Sequence, residues 1–147
     1  MDIDGSQARM AAFLRDHQDK IVGRWSELVV ASVRGRTSVI EARRELEDIY
    51  SLVVTVMSDP GEQARVELRA VLAEFSQSRA RGGFTPSETA LGLFSLKEAV
   101  YEQIADSAEL MLEFIAFSRL IDELGLSAGE AKAKRFPISP GDIHLIA

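Results

Sequence analysis

The chain has 147 residues, room for one domain, and is 46% apolar and 27% charged. That is the balance of a folded soluble domain rather than a disordered or membrane-spanning chain. A formal net charge of −6 argues against a nucleic-acid platform, which needs clustered cations. With no cysteine and two histidines, His17 and His144, disulfides, thiolate metal sites and thiol catalysis are excluded.

The start, Met-Asp-Ile-Asp-Gly, lacks the basic and apolar regions of a secretory signal. No run approaches the roughly 18 apolar residues of a membrane helix, so the expected location is the cytoplasm. The first helix is predicted from about Ser6 to Val33. Met10, Leu14, His17, Ile21, Trp25 and Leu28 recur at spacings of three and four on one face, with a kink near His17–Asp19. Arg34 to Thr37 reads as a loop. Ser38 and Glu41 then have the spacing of a reciprocal capping box. Ala42, Leu46, Ile49, Val53, Val54 and Met57 follow on an apolar face. Asp59-Pro60-Gly61-Glu62 signals another start, with Asp59 as cap and Pro60 in the first helical position.

Leu68, Val71, Leu72, Phe75 and Arg79 share the face of that helix, and Gly82-Gly83 ends it. Thr85-Pro86-Ser87-Glu88 caps the next helix, with Phe84 placed as a hydrophobic staple. A long helix is predicted from about Asp106 to Leu124, stopped by Gly125, with a short helix after it near Ser127–Lys134. The tail from Phe136 carries prolines too close together for a helix. The expected organisation is one helical domain over 1–135 and an extended tail over 136–147. Five to six main helices build an all-α fold. Periodicity leaves a globin-like stack and an antiparallel helix bundle both open, since each buries one stripe per helix.

Most helical chemistries fail on the histidines. A di-iron site needs Glu-x-x-His pairs, and the residues three before His17 and His144 are Leu14 and Gly141. A globin needs a proximal histidine late in the fold, and none lies between Gln18 and Ile143. Met57 and Met111 lie on apolar faces, where methionine usually fills core. Neither Ser–His nor Cys–His pairs are available, and Gly82-Gly83 lacks the lysine of a phosphate loop. The expectation is a non-enzyme without cofactor or metal.

Charge is uneven. Between Lys97 and Leu124 there are seven acids and two bases, so five of the six net negative charges lie there. In the same stretch Leu110, Met111, Phe114, Ile115, Phe117, Leu120, Ile121 and Leu124 cover more than one stripe of the last helix. Phe114 and Phe117 share a face, and Ile115 points elsewhere. A helix apolar around so much of its circumference is central or faces a second subunit. The candidate dimer interface is Leu110, Phe114, Phe117, Leu120 and Ile121. An alternative function is binding of a lipid-like or aromatic molecule in an apolar pocket among Tyr50, Met57, Phe75 and Phe94.

Three stretches taken together resemble a known family. They are Phe13-Leu14-Arg15 through Asp19–Trp25, then Ser76-Gln-Ser-Arg79-Ala-Arg81-Gly82-Gly83-Phe84-Thr85-Pro86, and the helix after it to about Tyr101. Their order and spacing are similar to the N-terminal sensor domain of RsbR-type stressosome proteins, the RsbT co-antagonist family, especially its RsbRD branch. The resemblance covers roughly Phe13 to Leu124. It implies a globin-like fold without haem, a homodimer, and a place outside a core of STAS domains, where the stress signal is received. The implied partners are STAS-domain stressosome proteins and a switch kinase. A sensor module ahead of a histidine kinase is the variant reading. The family's phosphorylated threonines belong to the STAS region, so none is carried over. Arg79, Arg81 and the Gly82–Pro86 corner are read as structural, the arginines facing the C-terminal end of their helix. Incubating the purified protein with haem is expected to give no Soret band; a band would overturn the haem-free reading.

Overall fold

A computed structural model describes residues 3–32, 38–59, 61–105 and 108–134. The expected loop at 34–37, the tail at 136–147 and His144 lie outside the described residues. Helices account for nearly all of what is described: α1 (Ile3–Asp16), α2 (Gln18–Ser32), α3 (Val39–Ser58), α4 (Glu62–Arg81), α5 (Pro86–Ile104) and α6 (Met111–Lys134), with a 3-10 turn at Ala108–Leu110. No strand occurs among the described residues.

The first predicted helix is divided at His17, as the kink anticipated. The His17 ring stacks on Phe13 with centroids 4.2 Å apart, and its Nδ1 lies 3.0 Å from the Phe13 carbonyl. A carbonyl only accepts, so Nδ1 carries the proton. The side chain thus shares the Phe13 carbonyl with the His17 backbone N–H, which donates to it at 3.1 Å.

The caps hold in part. Ser38 Oγ accepts from the Glu41 N–H at 3.1 Å. Thr85 and Glu88 make the complete reciprocal box, with Pro86 at the helix start. Asp59 does not cap α4. It closes α3, and its Oδ1 accepts from the Gly61 N–H at 2.9 Å, so α4 begins only after Gly61. A carboxylate that turns the chain onto its own backbone two residues ahead is no longer free to cap.

The α4–α5 corner forms as expected. Phe84 N–H donates to the Arg79 carbonyl at 3.0 Å and Gly83 N–H to the Ala80 carbonyl at 3.1 Å. This double closure places Gly83 in the left-handed region, at φ +86°. Glycine takes that conformation without a Cβ penalty.

Gly125 differs from expectation. It lies inside α6, and the short helix expected at Ser127–Lys134 is the same helix continued. A Cβ at Gly125 would sit 2.3 Å from Phe94 Cε1. The glycine is a notch that seats an aromatic ring of α5 rather than a stop signal, and packing overrides its low helix propensity.

Helices pack both on chain neighbours and across the chain: α2 on α3 and α5, α1 on α3 and α6, and α4 on α3 and α6. The arrangement is consistent with a globin-like stack. Trp25, Tyr50, Phe117, Leu14 and Ile21 are fully buried at its centre. Their polar atoms are satisfied. Trp25 Nε1–H donates to the Gly92 carbonyl at 2.7 Å, and the Tyr50 hydroxyl to the Leu14 carbonyl at 2.5 Å.

Two glycines give a paired test. At Gly92 an added Cβ meets only Val29 Cγ2, at 3.8 Å. Gly92→Ala is expected to stabilise the domain by about 0.5–1 kcal/mol. Gly125→Ala is expected to destabilise it by about 1–3 kcal/mol, because overpacking outweighs the gain in propensity. Urea unfolding of both variants measures the difference in sign.

Candidate functional site

The last two helices carry the distinctive surface. They run against each other, and their register is set by three contacts. Phe94 seats against Gly125, Lys97 Nζ reaches Asp122 Oδ1 at 2.5 Å, and the Tyr101 and Phe114 rings lie 5.6 Å apart. Lys97 also lies over the Phe94 ring, 5.2 Å from its centroid. This cation therefore touches both an aromatic face and a carboxylate.

The structure sorts the apolar residues of α6 into two faces. Phe117, Leu120, Ile121 and Leu124 point into the core, with Phe117 wholly buried. Leu110 and Phe114 are half-buried at the edge. Three of the five residues expected at a dimer interface, Phe117, Leu120 and Ile121, therefore belong to the interior of the chain itself. The outward apolar stripe is Leu112, Ile115 and Leu126, exposed by 77%, 44% and 65%. Leu112 and Ile115 are three residues apart, and Arg119 continues their row toward Leu126. The signal was in the sequence. Charged residues such as Arg119 and Glu123 interleave with this row and mark it as the solvent side.

One acid of this stretch is not solvated. Glu113, in the first turn of α6, is 4% exposed, and its Oε1 accepts from Arg9 Nη2 at 2.7 Å and Nε at 3.0 Å. The Arg9 hydrogen bonds hold the Glu113 carboxyl below the usual carboxylate range against the opposing effect of burial. Among the described residues Glu113 Oε2 has no hydrogen-bond partner. The pair fastens α1 to the start of α6.

Arg79 lies on the buried face of α4, as its spacing predicts, rather than facing the C-terminal end of its helix. Its side chain is 8% exposed and points across to α3, where Nη2 lies 3.3 Å from Glu45 Oε2. The guanidinium sits 4.9 Å from the Phe75 centroid and 5.2 Å from that of Phe84. Two aromatic faces and a carboxylate hold a cation in the wall of the domain more firmly than the exposed end of its own helix would.

The four residues expected to line an apolar pocket lie on α3, α4 and α5. Tyr50 is bonded to Leu14, and burial pushes its phenol well above the ordinary tyrosine value. Met57 is buried in the core, and Phe94 covers Gly125. Phe75 borders two depressions, one between α3 and α4 and one beside Arg79 and Phe84. The gap beside Phe75, Arg79 and Phe84 offers about 10 Å³, space for about one water. Among the described residues no group of three or more acids and histidines is placed to hold a metal ion.

The Arg9–Glu113 pair has a pH signature. A carboxyl whose folded value is depressed stabilises the fold above the ordinary carboxylate range, and that stability is lost as pH falls through the folded value. Glu113→Gln is expected to cost about 1 kcal/mol at neutral pH, because Arg9 is largely exposed and its charge is screened. The gap between wild type and variant should close towards pH 3 in denaturant unfolding, whereas a pH-independent gap would assign the effect to shape alone.

Comparison with curated proteins and with solved structures gives no match. Among the described residues no helix is long and apolar enough to cross a membrane. A family model, that of the RsbT co-antagonist protein rsbRD N-terminal domain, matches residues 19–134. The match takes in every helix from α2 onward, including the α4–α5 corner and the whole of α6. The chain belongs to the family of RsbT co-antagonist protein rsbRD N-terminal domains.

Proposed function

We propose that the chain is a regulatory sensor domain of a stressosome-type signalling complex in the cytoplasm. In this reading it dimerises through the outer stripe of α6 and relays a change of shape to a STAS-like domain beyond it. Family membership supports the regulatory role. The observation that carries the contact surface is the stripe itself. Leu112, Ile115 and Leu126 leave large apolar side chains in water on a helix whose opposite face is core. A folded monomer has little reason to keep such a row exposed unless a partner covers it.

The length and packing of α6 support the relay. At 24 residues, α6 is a rod about 36 Å long. Its inner face packs on α1, α4 and α5, so those helices and a dimer partner act on one rigid element. A signal need only favour one packing of α6 over another, by as much as its binding differs between the two states. STAS-domain proteins and a switch kinase are the partners on this reading, and the chemistry of α6 is contact rather than catalysis.

Sedimentation at micromolar concentration tests the dimer. Wild type is expected to be dimeric, and Leu112→Glu with Ile115→Glu to shift it to monomer with its helical content kept. A monomeric wild type, or a dimer untouched by the double change, would remove this interface. Phe117→Glu is not informative, because it places a charge in the core and unfolds the domain whatever the interface.

A further inference from the structure

A second surface lies between α3 and α4. It is an open depression of about 310 Å³, lined by Glu45, Asp48, Ile49, Val71, Glu74, Phe75 and Ser78. Its floor is apolar, made by Ile49, Val71 and Phe75. Its rim carries three carboxylates and no cation. Glu45 is compensated from beneath by Arg79. Asp48 and Glu74 are exposed and take part in no ion pair among the described residues. Arg44, next to Glu45 in the chain, does not line the depression.

We propose that this groove docks a positively charged amphipathic segment of a partner protein. One or two apolar side chains of that segment rest on Val71 and Phe75, and its lysines or arginines meet Asp48 and Glu74. Charge complementarity selects the occupant. Phosphate-bearing ligands and acidic lipid surfaces are repelled by the rim. A second copy meeting the groove about a two-fold axis would oppose three carboxylates with three, so self-association is disfavoured here. The open shape suits side chains presented by a helix or an extended segment rather than an enclosed small molecule. The groove lies on α3 and α4, while the exposed stripe of α6 serves the proposed dimer, so the assignment stands whether or not the chain dimerises.

The test uses isotope-labelled full chain and a synthetic helical peptide with leucines on one face and lysines beside them. Amide shifts on titration are expected to centre on Ile49, Val71 and Phe75, and binding should weaken with salt. Asp48→Lys with Glu74→Lys is expected to weaken binding about tenfold, two rim charges together giving that much. Glu27→Lys with Glu98→Lys, the same change of net charge on α2 and α5, is expected to leave binding within about twofold, since those charges lie on other elements. Equal losses in the two double variants would overturn the proposal. So would equal binding of a peptide with serine in place of leucine, or shifts centred on α5 and α6. Concentration-dependent shifts at the groove without peptide would give the surface to a second copy instead.

Discussion

The close approach of α5 and α6 at Gly125 is the constraint on which the rest of this domain depends. The Phe94 ring occupies the space a side chain would need at that position. With the ring seated there, Lys97 is placed over it and within reach of Asp122, and farther along the pair Tyr101 comes to rest against Phe114. That register turns Phe117, Leu120 and Ile121 inward to join the core. It leaves Leu112, Ile115 and Leu126 facing out. This division gives α6 one face in the core and one in solvent.

Long-range pairs of charge complete the frame. Arg9 and Glu113 hold the first helix on the start of the last, and Arg79 and Glu45 join the end of α4 to α3. Neither pair is a simple surface bridge. In the first the carboxylate is buried, and in the second the guanidinium is buried between two aromatic rings. A buried charge that loses its partner is costly, so such pairs specify arrangement more than they add net stability. Both fasten neighbouring helices at points where a packing change would be felt.

Local chemistry was legible in the sequence wherever it involved neighbours along the chain. The Thr85–Glu88 box, the Gly82-Gly83 corner and the interruption at His17 all rest on contacts within five residues. The family was legible too, because the corner and the helices on either side of it carry its pattern. Contacts between distant residues were not. Gly125 reads as a helix stop until Phe94, 31 positions earlier, is known to lie against it. Glu113 reads as one more solvated acid until Arg9 arrives from the other end of the chain. The apolar excess of α6 showed that two faces exist. The charges of Arg119 and Glu123 mark the outer face, but which helices the inner face meets, α1, α4 and α5, is not contained in the periodicity of one helix.

Within this frame the proposed function rests on two surfaces. In the proposed reading the outer row of α6 meets a second copy, and the α3–α4 groove seats a basic segment. The chain has no cysteine, which makes the α6 surface directly addressable. Single cysteines placed at Ile115 and, separately, at Glu98 can be oxidised under mild conditions in the assembled protein. Rapid disulfide-linked dimers are expected from Ile115→Cys and few from Glu98→Cys. Equal and slow cross-linking at both positions would contradict the claim that α6 is the contact surface.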